Sequence, residues 1–123
     1  MNSDSVIDTS HAVTTLAALA HEGRLSAFRL LVQAGAEGLA SGEIARRLGV
    51  AANTLSASLG VLGHAGLVAS RREGKSVIYT ARYDHMAGLL AFLVEDCCGG
   101  APEICTPLAD VARVAACGSA GRA

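Results

Sequence analysis

Tryptophan is absent from the 123 residues, and tyrosine and phenylalanine number two each. Hydrophobic residues make up 51% of the chain, yet 24 of them are alanine. Such a composition builds one small soluble domain with a thin core and leaves no room for a second one. A partner subunit would help bury it, so a homodimer is expected. No apolar stretch reaches the length a bilayer needs before Gly, Ser or a charge interrupts it. The start, MNSDSVIDTS, has no basic segment followed by an apolar one. No membrane segment and a cytoplasmic location are therefore expected. There is no glycine loop to cradle phosphate and no nucleophile spaced to meet a base, which argues against an enzyme.

Excess charge is also missing, with a formal net charge of -1, but the balance is uneven along the chain. Residues 42–82 hold Arg46, Arg47, Arg71, Arg72, Lys75 and Arg82 against only Glu43 and Glu73, so this middle segment is suited to face phosphate. The flanks are acidic. Cysteine is absent until the last quarter, where Cys97, Cys98, Cys105 and Cys117 all lie. Adjacent Cys97 and Cys98 are poorly placed to pair with each other, and a reducing compartment disfavours disulfides. Metal binding or thiol chemistry is the first reading for them.

Apolar residues from Val13 to Val32 recur at helical spacing, with Glu22-Gly23 as the break between two helices. Gly35-Ala36-Glu37-Gly38 ends the second. Ser41 is the expected N-cap of a short helix with Glu43 in its first turn and Ile44, Ala45 and Leu48 as its apolar face. Gly49 permits a tight turn. A helix over about 52–65 buries Leu55, Leu59 and Leu62 and turns Asn53, Ala57, Gly60 and His64 outward, flanked by Thr54 and Ser56. The segment LVASRREGKSVIYTAR predicts a two-stranded hairpin turning at Glu73-Gly74 with a basic tip. Met86, Leu89, Leu90, Leu93, Val94 and Cys97 form one face of a last helix, and its apolar excess suits a dimer interface. Gly99-Gly100-Ala101-Pro102 stops it.

Two short helices around a glycine turn, then a basic hairpin, predict a mainly α winged helix-turn-helix with a small β-hairpin wing, dimerising through its terminal helices. The expected boundaries are a disordered tail over 1–10, the DNA-binding and dimerisation domain over 11–106 and a flexible tail over 107–123. The 52–65 helix is the candidate recognition helix. Its small outward face lets the backbone approach the major groove, where Asn53 can make paired hydrogen bonds to adenine and Thr54, Ser56 and Ala57 lie against bases or phosphates. Arg71, Arg72 and Lys75 would supply phosphate or minor-groove contacts from the wing. Singly, each has an equally ordinary structural role: Asn53 and Thr54 as helix caps, the hairpin charges as a solvated edge. The ordered set favours double-stranded DNA.

The run NTLSASLGVLGHAGLVASRREGKSVIYTA, with HEGRLSAFRLLVQAG before it, resembles the recognition helix and wing of the ArsR/SmtB family of winged-helix metal-sensing repressors. The resemblance spans roughly residues 10–105. It implies a dimer that binds an inverted-repeat operator and leaves it when inducer binds. One departure is Ser58 and Gly60 where the family commonly carries histidine and lysine, so the stretch from Ala52 to Ala65 has no Arg or Lys.

A pair of cysteines common in the family's first helix-turn-helix helix is also missing, since that helix reads SGEIARRL. Instead DCCGGAPEIC is similar to the C-terminal arsenite site of another branch, which implies Cys97, Cys98 and Cys105 as ligands, with Cys117 left out. Three thiolates suit trivalent arsenic or antimony, which bonds three sulfurs in a pyramid, whereas zinc usually seeks a fourth ligand. The competing reading for Cys97 is a buried thiol packed as a small hydrophobe. His64 and His85 are expected to be surface histidines rather than zinc ligands. The expected function is thus an arsenite-responsive repressor without a cofactor in its DNA-bound form. Two alternatives stand beside it: a redox-sensing repressor whose thiols oxidise, and a thiol metal carrier without DNA binding.

Overall fold

The computed structural model describes residues 8–94. The chain divides into two units, the first ending at Leu89 and the second beginning at Leu90. Among the described residues five α-helices and three strands follow in the order α1 (Thr9–Leu19), α2 (Glu22–Ala34), β1 (Leu39–Ala40), α3 (Ser41–Leu48), α4 (Ala52–His64), β2 (Val68–Glu73), β3 (Ser76–Ala81) and α5 (Tyr83–Val94), with a short 3-10 turn over Gly35–Glu37 between α2 and β1. Thr9 and Ser10, placed by the sequence at the end of a tail, form the first turn of α1. The C-terminal tail expected over 107–123 lies outside the described residues.

The core is where the helical stripes meet. Ala27, Phe28 and Leu31 of α2, Ile44 and Ala45 of α3, and Leu55, Leu59 and Leu62 of α4 are buried together with Leu67, Val68 and Ala81 at the base of the hairpin. The Leu55, Leu59, Leu62 stripe is as its spacing predicts. Aliphatic side chains and alanines supply nearly all of this interior, with Phe28 its one buried aromatic among the described residues.

Three local expectations change. The first break between helices falls at Ala20-His21, not Glu22-Gly23. His21 Nδ1 accepts from the Gly23 N–H at 3.1 Å, so Glu22 and Gly23 sit inside the first turn of α2. Secondly, Ser41 is the first helical residue of α3, and Ala40 holds the cap position without a side-chain bond. Ala40 stays extended because it pairs with Ile78, as Leu39 pairs with Tyr79. The wing is accordingly a three-stranded antiparallel sheet in the order β1-β3-β2, not a two-stranded ribbon. Thirdly, Glu73 pairs with Ser76, which moves the turn one residue on to Gly74-Lys75, with Gly74 at a φ of 62°.

Gly38 leads the chain into β1 where no side chain fits. Its φ is +69°, and a Cβ there would stand 2.3 Å from the Tyr79 carbonyl oxygen. Arg24 closes the other end of the fold: its Nε donates to the Ala18 carbonyl at 2.6 Å and its Nη2 to Ala17 at 3.3 Å, capping the last turn of α1. Because the side chains α1 buries are small, Ala12, Thr15 and Ala18, Arg24→Ala is expected to lower stability by about 1 kcal/mol. A urea midpoint unchanged from wild type would contradict this.

Candidate nucleic-acid interface

The turn between α3 and α4 is set by Gly49. It adopts the left-handed conformation, φ 70° and ψ 33°, and its N–H bonds back to the carbonyls of Ala45 and Arg46. Val50 N–H then reaches the Ala45 carbonyl at 3.1 Å. These bonds turn the chain within a few residues, so α4 packs on α3 through its leucine stripe and turns its first two turns outward. Asn53, Thr54, Ser56 and Ala57 are all exposed there. No side chain caps α4, whose N-cap is Ala51; Asn53 Oδ1 instead accepts from the Thr54 N–H at 2.9 Å. The cap role left open for Asn53 by the sequence is thus not the one it takes. Further along the same side, Ala57 joins Gly60, Val61 and His64 in an open groove of about 670 Å³ against Val13 and Ala17 of α1.

Positive charge is presented from two places. On α3, Arg46 and Arg47 both donate to Glu43, Arg47 Nε at 2.6 Å. These two bonds, that of Arg46 first, hold the Glu43 carboxyl down at about 2. Glu43 therefore stays ionised at any working pH and keeps both guanidinium groups gathered on one side of the helix. Composition shows these arginines only as part of a basic segment. Their i+3 and i+4 spacing from Glu43 is the signal that orders them.

On the wing, Arg71, Arg72 and Lys75 are all exposed. They are not equivalent. Arg71 Nε donates to Glu73 Oε2 at 2.8 Å and its Nη2 to the Glu37 carbonyl at 2.9 Å, which straps β2 to the turn ahead of β1. Successive strand residues point to opposite faces, so Arg72 lies on the other face of the ribbon from Arg71. Among the described residues no carboxylate pairs with Arg72 or with Lys75 at the turn. The strap on Arg71 escapes sequence reasoning, because nothing in the sequence ties a carbonyl at Glu37 to a guanidinium 34 residues away.

The structure thus brings Asn53, Thr54, Ser56 and Ala57 together on α4, and Arg71, Arg72 and Lys75 on the hairpin. Cys97, Cys98 and Cys105, together with Cys117, lie outside the described residues. Among the described residues no three His, Cys, Asp or Glu side chains gather to hold a metal ion. No helix among them is long and apolar enough to cross a membrane.

The helix-turn-helix domain family matches residues 19–71. The Biofilm growth-associated repressor of Agrobacterium fabrum is 39% identical over 88 residues, which cover 72% of this chain and 71% of that one. An uncharacterized HTH-type transcriptional regulator of Mycobacterium tuberculosis is 39% identical over 74 residues; the match takes in 59% of this chain and 62% of that regulator's length. Among solved structures, the homodimeric winged helix-turn-helix DNA-binding domain of a possible ArsR-family transcriptional regulator from Mycobacterium bovis is 32% identical. It superposes with a TM-score of 0.58 over 71% of this chain and 80% of that one.

Proposed function

From the premise that this chain belongs to the ArsR family of winged helix-turn-helix transcriptional regulators, we propose that it is a repressor that binds an inverted-repeat operator as a homodimer and leaves it when arsenite or antimonite binds Cys97, Cys98 and Cys105. The observation that carries the DNA reading is the exposed, small and polar first half of α4, held by the Gly49 turn beside a hairpin whose Arg72 and Lys75 point to solvent. A helix of this kind lets its backbone come close to base edges, and Asn53 is the side chain there able to pair with adenine through two hydrogen bonds. With no Arg or Lys on α4, affinity rests on phosphate contacts from the wing and α3, and specificity on Asn53, its small neighbours and DNA shape.

Pairing of two protomers is supported by the apolar side chains each terminal helix leaves exposed. On α1 these are Val13, at 59%, and Leu16; on α5 they are Leu90 at 48% and Leu93 at 51%. The related M. bovis domain is homodimeric. The effector reading is supported by the chemistry of the donor set: three thiols within nine residues, the number a trivalent metalloid bonds. Arsenite, as As(OH)3, exchanges its three hydroxides for the three thiol sulfurs, the thiol protons leaving with the hydroxides as water, and the bound metalloid alters the dimer so that the two recognition helices no longer match two half-sites. By linkage, DNA must then weaken arsenite binding by the factor by which arsenite weakens DNA binding, a coupling of about 1–3 kcal/mol in systems of this type.

Footprinting on the DNA upstream of its own coding sequence tests the DNA reading. Symmetric protection of two half-sites about 10 base pairs apart is expected. A protein that protects no site at any concentration would remove the repressor from consideration.

A further inference from the structure

His85, in the first turn of α5, is half-buried and touches more than one element, so it is not the isolated surface histidine its spacing suggests. Its ring stands 4.8 Å from that of His11 on α1, centroid to centroid, with the planes inclined by 50°. Its Nε2 is 3.5 Å from Oγ1 of Thr15, also on α1. Thr15 is fully buried and donates its own proton to the His11 carbonyl at 3.0 Å, which leaves the hydroxyl oxygen to accept from the imidazole.

Beneath the same ring lies Gly66. A Cβ there would come within 3.1 Å of His85 Cε1, and the glycine has a φ of +83°. Gly66 is the exit of the candidate recognition helix. Its N–H bonds to the Gly63 carbonyl at 3.0 Å, and the next N–H, of Leu67, bonds to the Leu62 carbonyl at 2.9 Å. One imidazole therefore holds together α1, the end of α4 and the start of α5.

The charges around it disfavour a proton. α1 brings His11, with Asp8 occupied in capping the His11 N–H at 2.8 Å. The α4 exit brings Gly66 against the ring, while His64, the last residue of α4, lines the groove with Val13 and Ala17. The approach to α5 brings Arg82, whose guanidinium is paired with Asp84 at 2.9 Å, so that carboxylate too is already engaged. Burial first, then His11 and Arg82, hold the imidazole below its ordinary value, with Asp84 acting the other way.

We propose that His85, packed against His11 and Thr15, is a proton-sensitive latch: with its imidazole neutral it holds α1 against the exit of α4 and the start of α5, and on acidification it lets α1 go. The consequence for the operator rests on the DNA-binding reading above, but the latch itself does not. For a histidine whose folded-state value is depressed, the unfolded chain takes up its proton first. Stability is therefore complete above the unfolded value of 6.5 and falls as the pH drops from there to the folded value.

The test uses the full chain and its variants H85Q, in which the glutamine amide can still donate to Thr15, and H11Q. Melting temperature and operator affinity are measured from about pH 7.5 to about pH 5.5, and the histidine Cε1 protons are titrated by NMR. Wild type should lose about 4 °C or more and about fivefold or more in operator affinity. The fall should be much reduced in H85Q. In H11Q the His85 resonance should titrate at higher pH than in wild type, an outcome that decides the matter if H85Q does not fold. A wild-type slope in folded H85Q, or a His85 titration unmoved by H11Q, overturns the latch. Absence of operator binding at every pH, with the melting slope intact, sinks the DNA reading and leaves the latch standing. Tight operator binding that is flat across the range sinks the latch as a regulator.

Discussion

With both Cys97 and Cys98 replaced by serine, the protein is expected to bind its operator as wild type does and to be no longer released by arsenite. A soft trivalent ion gains its affinity from thiolates. A serine hydroxyl stays protonated at neutral pH and is a hard oxygen donor, so the double variant offers Cys105 alone where three sulfurs are needed. The arsenite-driven loss of operator affinity, about 5- to 150-fold for couplings of this kind, should vanish. Neither cysteine lies on the helix-turn-helix or the wing, so DNA affinity without arsenite should not change. Release that persists in the double variant contradicts the ligand set. Release of wild type by peroxide with no metalloid present would replace metalloid binding by thiol oxidation.

Alanine at both Arg72 and Lys75 is expected to weaken operator binding by about tenfold to a hundredfold at low salt. The slope of log affinity against log salt should fall by about two, one for each phosphate that the variant no longer neutralises. Unlike Arg71, which spends its guanidinium on Glu73 and the Glu37 carbonyl, these two side chains have no carboxylate partner among the described residues. Both lie on an exposed hairpin, so the fold should be undisturbed. Binding should weaken equally on operator and on unrelated DNA, since phosphate contacts carry no sequence information. An unchanged salt slope would show that the wing stands clear of the duplex.

The parts of the fold legible in the sequence are those whose signal is periodic or conformational. Leu55, Leu59 and Leu62 repeat at the helical period and are buried together on α4. Gly49 lies where a left-handed residue is required, and it takes that conformation. The hairpin follows from β-branched residues flanking a glycine turn. What the sequence could not show depends on partners far along the chain. Two residues, Leu39 and Ala40, are too short a run to carry any period. They become a strand because Gly38 brings them against Tyr79 and Ile78. That pairing also keeps Ala40 extended and moves the start of α3, which is why Ser41 caps nothing. His21 carries no signal as a helix cap because Ser, Thr, Asp and Asn usually hold that position.

At the candidate interface the same distinction holds. The exposed face of α4 and the basic hairpin can be read from spacing alone. The difference between Arg71 and Arg72 cannot, because it is made by a backbone carbonyl in another segment. Likewise His85 has an ordinary surface spacing on α5, and only the approach of α1 and Gly66 gives it neighbours.

The repressor assignment is tested most directly by fluorescence anisotropy of the reduced, metal-free protein on DNA from its own upstream region at low salt. Arsenite is titrated into one sample and zinc into another. Binding of the DNA followed by release with arsenite and not with zinc is the expected result. Absence of binding at every protein concentration would contradict it and leave a thiol metal carrier in its place.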